Sequence, residues 1–197
     1  MSAAGGHAAA DADATAWAAR APIVPTEWFV RPSTLHGVGH TQRVHIHAQR
    51  LTGELGWAEP DAQLVFTAAL WHDIGRTNDD DPRHGAESAA RAVELGLPAA
   101  LAPADAGAVL FAIVRHCLSD EPAAEEARRW REARRWREAR RLAEPERALR
   151  ILWLLKDADA LDRVRLQPWE ATDLAQLRFP CTAGSIEFAG MLLAALR

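Results

Sequence analysis

The stretch from Asp61 to Arg76, DAQLVFTAALWHDIGR, decides the fold of this chain. Its first part is apolar on most sides, which predicts a central, buried helix. The adjacent pair His72-Asp73 then ends that helix, and Gly75 allows the backbone to turn away. A charged residue in such a place is costly unless it is paired or binds a metal. The alternative is that the pair caps the helix end and faces water, and the dipeptide alone favours that alternative.

Apolar residues recur with helical spacing through most of the remaining chain. The pattern predicts further helices at about residues 39–55, 84–94, 104–117, 145–161 and 185–196. No convincing run of alternating apolar residues indicates a strand. We therefore expect an all-α fold, a helical bundle, with residues 21–197 forming a single domain and an Ala-rich disordered tail at residues 1–20.

Bulk composition excludes several classes of function. The 197 residues carry a net charge of −4, so the chain gives no strong nucleic-acid signal. Only two cysteines are present, which suggests a reducing compartment rather than a disulfide framework. We predict a cytoplasmic protein without a membrane span and leave open a homodimer.

An Arg- and Trp-rich insert interrupts the chain at about residues 122–143. It contains the sequence RWREAR twice, at residues 129–134 and 135–140. A period of six matches neither a helix stripe nor a heptad. The insert is either a solvated helix or a basic flap over an anionic substrate.

Several predicted helices carry a further residue that could bind a metal, near a helix end or in an apolar stretch. These residues are His40, His84, His116 and Asp157. Helical bundles build metal sites from side chains that converge on the core in this way. Imidazole and carboxylate together suit Mn, Fe, Co or Zn.

The order of these residues resembles the H…HD…D signature of the HD superfamily of phosphohydrolases. The sequence words around them are also similar: Gly39-His40 followed by Arg43-Val44, HDIGR at residues 72–76, and DADALDR at residues 157–163. The resemblance covers about residues 35–165. It implies a bundle with a metal site in its core, with His40, His72, Asp73 and Asp157 holding one divalent ion.

The same resemblance implies a second ion in the dinuclear members of that superfamily. HGAESA at residues 84–89 and IVRH at residues 113–116 fit the two additional histidine positions. His84 and His116 would then bind the second ion, and Asp73 would bridge the two. A single-metal site remains the alternative.

Several residues are expected to contact a small phosphorylated substrate, a nucleotide or a similar molecule. The resemblance implies that a metal-activated water attacks its phosphoester or phosphoanhydride. We predict catalytic roles for Asp73, Arg76 and Lys156, and substrate binding by Arg43, Arg163 and His36. Each of these cations could instead form a surface ion pair.

Two other functions are compatible with the same ligand order. Some HD proteins hold a diiron centre and oxidise a small organic substrate with oxygen, although this chain has no tyrosine to gate such a site. A non-catalytic nucleotide-sensing module is the second alternative. Bound metal would distinguish it from both enzymes.

Overall fold

Helices make up the fold of the described residues. The structure is a computed structural model that describes residues 13–132, 144–166 and 173–196. Its longer helices are α1 (Val38–Glu54), α2 (Asp61–Trp71), α3 (His84–Glu94), α4 (Pro103–Arg115), α5 (Ala123–Glu132), α6 (Pro145–Leu161) and α7 (Ile186–Ala195). No strand occurs within the described ranges, so the predicted all-α class is confirmed.

Local sequence signals set the helix boundaries close to where the periodicity predicts them. Gly56 and Gly96 follow α1 and α3 with positive φ angles of 65° and 72°, a conformation that glycine adopts without strain. A proline opens α4 and another opens α6, where its missing N–H has no helical partner to lose. Within the described ranges, no helix is both long enough and apolar enough to cross a bilayer.

Helix α2 is central, as its apolar sequence predicts. It packs against α1, α4 and α6, and α6 in turn packs against α1, α4 and α5. Val65, Phe111 and Leu152 are among the fully buried residues where these helices meet. Burying each such side chain contributes roughly 1.5–3 kcal/mol. The polar ends of the helices are thereby fixed relative to one another.

The N-terminal segment differs from the prediction. Residues 13–18 are helical, and Ala14 is buried in a small cluster with Ile46, Phe188 and Leu192. Asp13 also forms an ion pair of 2.5 Å with Arg50. The expected disordered tail is therefore wrong for this part of the chain, since its alanines form an apolar face that packs on α1 and α7. Residues 1–12 lie outside the described ranges.

The first half of the predicted insert is a packed helix. In α5, Ala123 and Ala127 are buried and Arg115 contacts Glu126, so this helix is attached to the bundle. Residues 133–143, including the second RWREAR sequence, lie outside the described ranges. The basic-flap hypothesis therefore stays a prediction.

Candidate metal centre

Four histidines converge at one end of the bundle. His40 lies in α1, His72 follows α2, His84 opens α3 and His116 follows α4. Their Nε2 atoms meet in two pairs: His40 with His72, and His84 with His116, each at 3.0 Å. The rings of His72 and His116 stand edge to face at 5.0 Å, so the two pairs adjoin.

The opposite ring nitrogen of each histidine is held by a fixed acceptor. The Nδ1 atoms bond, in chain order, to the Asp162 carboxylate at 2.7 Å, Ala69 O at 2.7 Å, Asp81 O at 2.6 Å and Ile113 O at 2.6 Å. Because these acceptors only accept, the proton lies on Nδ1 and the Nε2 lone pair faces the cluster. Metal-binding histidines are oriented by contacts of this kind.

Asp73 lies between the two histidine pairs. Its Oδ2 atom is 3.5 Å from His40 Nε2, and its Oδ1 atom is 3.5 Å from His84 Nε2 and 3.7 Å from His116 Nε2. The side chain is buried, and Oδ1 has no hydrogen-bond partner. Burial would raise the pKa of Asp73, but His72 and the other nearby imidazoles lower it well below its usual value. An ionised, unpartnered oxygen beside two lone pairs fits a cation.

The electrostatics around His40 also favour positive charge. Burial and Arg165 lower the pKa of His40, but hydrogen bonds to Asp159 and Asp162 outweigh them and raise it. By contrast, burial lowers the pKa of His72 to about 3, so its imidazole stays neutral at ordinary pH. A neutral imidazole is the form that binds a metal.

Two glycines allow the helix ends to come this close. A Cβ atom at Gly75 would lie 2.2 Å from the Glu87 backbone, and one at Gly85 would lie 2.5 Å from the Ile113 carbonyl oxygen. The chain after α2 therefore rests directly on α3, and the start of α3 rests on α4. This contact sets the 4.8 Å separation of the His84 and His116 rings.

The predicted ligand Asp157 does not join the cluster. Its carboxylate accepts the backbone N–H groups of Arg178 and Phe179 at 3.0 and 2.9 Å, and the Thr182 hydroxyl at 2.9 Å. The Arg178 guanidinium adds an ion pair at 3.1 Å. Asp157 therefore holds the segment after α6 in place, and we correct its assignment.

Asp159 takes the place expected of Asp157. Its Oδ1 atom lies 3.3 Å from His40 Nε2 and 4.0 Å from His72 Nε2. Two residues correspond to roughly 200° around a helix, so the two aspartates face nearly opposite directions. The sequence DADALDR offers three aspartates, and its spacing does not say which of them faces α1.

Arg43, predicted to bind substrate, is instead part of the support beneath the site. It is buried and donates to Asp162 through Nε at 2.6 Å and Nη2 at 3.0 Å. Asp162 in turn holds His40. A buried carboxylate needs a paired cation, and Arg43 supplies it at 2.6 Å, with Arg165 Nη1 a further 3.4 Å contact. Sequence reasoning missed Asp162, because DADALDR offers three aspartates and nothing in it marks the one that contacts His40 and Arg43.

The other predicted substrate and catalytic residues line a cavity of about 840 Å³ in front of the histidines. Arg76 donates to Asp73 at 3.0 Å and to His84 Nε2 at 3.1 Å, and His36 lies 3.0 Å from Asp73. Lys156 contacts Asp120 and Leu118 O rather than the histidines. Arg163 is an exposed part of the wall.

Three further residues also line the cavity. Arg165 reaches His36 at 3.3 Å, and Arg178 pairs with Asp120 at 2.8 Å. Cys117 follows His116 directly, and its thiol lies near the second histidine pair. Arg165 follows the last predicted ligand within two turns, so the sequence could suggest it, whereas Arg178 has no motif of its own and only the fold could place it.

Comparison with known proteins gives one match. The family model described as HD domain matches residues 37–164, which includes every residue of the histidine and aspartate cluster except His36. No curated protein and no solved structure matches the chain.

Proposed function

The chain belongs to the HD domain family, and from this premise we propose that it is a metal-dependent phosphohydrolase. Its substrate would be a small nucleotide-like molecule with a phosphoester or phosphoanhydride bond. The observation that carries the proposal is the position of Asp73. Its Oδ2 atom faces the His40–His72 pair, and its Oδ1 atom, which is buried without a hydrogen-bond partner, faces the His84–His116 pair.

Two divalent ions fit the donors around Asp73. We infer that His40, His72 and Asp159 would hold one and that His84 and His116 would hold the other, with Asp73 within reach of both. Mn, Fe, Co and Zn all accept such nitrogen and oxygen donors. When bound, such ions polarise a phosphoryl oxygen and make water nucleophilic at neutral pH.

The cavity wall suits a phosphorylated substrate. Five cationic side chains line it against three carboxylates, so it attracts anions even without metals. Arg163 is exposed, and we assign it to the substrate phosphate. Arginine matches phosphate oxygens with two parallel N–H donors.

Arg76 and His36 would position the shared carboxylate. Both contact Asp73 Oδ2 at 3.0 Å, His36 from the segment before α1 and Arg76 from the turn after α2, and so restrain the carboxylate. Arg76 also reaches the edge of the cavity, where it would stabilise negative charge that develops on the phosphoryl group. Lys156 would contact the substrate from the cavity wall, while paired with Asp120.

The test combines metal content with product release. The purified chain would be analysed for bound metal, reconstituted with Mn²⁺ and incubated with mononucleotides, cyclic nucleotides and dinucleoside polyphosphates. We expect phosphate or nucleotide release by the native chain and a loss of at least ~100-fold in Asp73→Asn. Asp80→Asn, in an exposed loop, is the matched control and should keep full activity.

Two results would reject the proposal. A chain that binds no transition metal stoichiometrically is not a hydrolase of this kind. Oxygen uptake with a mixed-valent iron signal, without hydrolysis of any panel member, would support the oxygenase alternative instead.

A further inference from the structure

We propose that Cys117 is a thiolate ligand of the second metal position, so that the two positions differ in donor chemistry. The inference rests on the proposed function, because it assumes that His84 and His116 bind an ion. It adds a sulfur donor to a site otherwise built from nitrogen and oxygen.

The thiol lies beside both histidines. The Cys117 Sγ atom and ring nitrogens of His84 and His116 all lie within 4.8 Å of one another. Cys117 also lines the cavity wall. The thiol donates a weak hydrogen bond to Pro82 O at 3.7 Å, which does not hold the sulfur away from the cavity.

The backbone beneath the thiol leaves room for it. Sγ lies over Gly85, where an added Cβ atom would come within 3.1 Å of the sulfur. The same glycine lets the start of α3 rest on the end of α4. Cys117 and the two histidines are therefore fixed on two helix ends that touch.

A separate observation indicates that a cation belongs at this position. Asp73 Oδ1 is buried, has no hydrogen-bond partner and lies 3.5 Å from His84 Nε2. His84 and His116 supply two nitrogens, Asp73 supplies one oxygen and Cys117 supplies one sulfur. Four donors of these types suit a tetrahedral ion.

The two positions would then select different metals. His40, His72 and Asp159 surround the first position with nitrogen and oxygen donors only. A thiolate makes the second position softer, which favours Zn²⁺ or Co²⁺ over Mn²⁺. Binding there releases the thiol proton to solvent, because the thiolate is the ligand form.

Cobalt provides a direct test, because a cobalt–thiolate bond gives near-ultraviolet charge-transfer absorption. Metal-free native chain would be titrated with Co²⁺ and followed by absorption and metal content. We expect the charge-transfer band to grow until the second ion is bound. Cys117→Ser should remove the band and weaken the binding of one of the two ions by at least ~10-fold. Cys181→Ser is the matched control, since Cys181 is the other cysteine and belongs to no ligand group among the described residues.

Alkylation of the native chain gives a second measurement that needs no folded variant. Zn²⁺ should slow iodoacetamide modification of Cys117 by at least ~10-fold and leave Cys181 unchanged. Two bound cobalt ions without the band, or unchanged alkylation with Zn²⁺ bound, would overturn the thiolate ligand and leave the dinuclear hydrolase standing. A chain that binds no cobalt would overturn both.

Discussion

Exchanging Asp157 and Asp159 for alanine, one at a time, separates the two roles that the structure assigns to them. Asp157→Ala removes a buried carboxylate from two backbone N–H groups and the Thr182 hydroxyl. Each buried donor left unpaired costs about 1–3 kcal/mol. Because the Arg178 guanidinium retains Asp120 as a partner, we expect a loss of about 3–5 kcal/mol in the free energy of unfolding.

Asp159→Ala should cost little stability but should impair metal binding. Its side chain is 32% exposed and its near neighbours are His40 and His72, so the metal-free chain should lose about 1 kcal/mol or less. The variant should nevertheless lose metal from the first position, because it lacks one carboxylate donor. Asp157→Ala should keep its metal in the folded fraction.

Urea unfolding of chelator-treated chains, followed by circular dichroism, measures the first quantity. Metal content after reconstitution measures the second. The reasoning fails if Asp157→Ala loses metal while keeping its stability, or if Asp159→Ala retains both ions.

Two further predictions concern packing and pH. Gly85→Ala places a Cβ atom 2.5 Å from the Ile113 carbonyl oxygen, so α3 must shift. We expect a loss of about 2 kcal/mol or more in the free energy of unfolding and weaker binding of the second ion. The control Gly53→Ala, whose Cβ atom meets nothing within 4 Å, should not destabilise the chain. Burial, partly offset by Asp162, lowers the pKa of His47 to about 4, and both its ring nitrogens lack partners. As the pH falls, His47 is protonated in the unfolded chain before it is protonated in the folded one. The native chain should therefore lose about 2.5 kcal/mol of unfolding free energy between about pH 7.5 and 4.5, and His47→Leu should not show this loss. Equal losses in both chains, measured by urea unfolding, would contradict this.

The helices of this protein could be predicted because each has a clear apolar period and a clear end. The Asp61–Trp71 helix is apolar on most sides in the sequence, and it is buried on most sides in the fold. Glycine and proline mark the other boundaries. The order of His40, His72 and Asp73 in the sequence also predicts the family to which the chain belongs.

The assignment of side chains within a crowded stretch could not be predicted. Asp157 and Asp159 differ by two positions, and the choice between them depends on the rotation of α6 and on Arg178 and Phe179, which come later in the chain. Arg43 presents a similar case. It lies one turn after His40, as predicted, but pairs with Asp162, whose burial only the folded chain determines.

The role of Asp157 has a consequence for the order in which the protein is made. All of the proposed ligands have been synthesised once the ribosome has passed residue 159. The wall residues at 176–178, which Asp157 fastens through Arg178 and Phe179, emerge afterwards. A nascent chain therefore has its metal-binding groups before it has the full cavity wall, and a chain that ends before Arg178 would carry a centre that lacks this side of the wall.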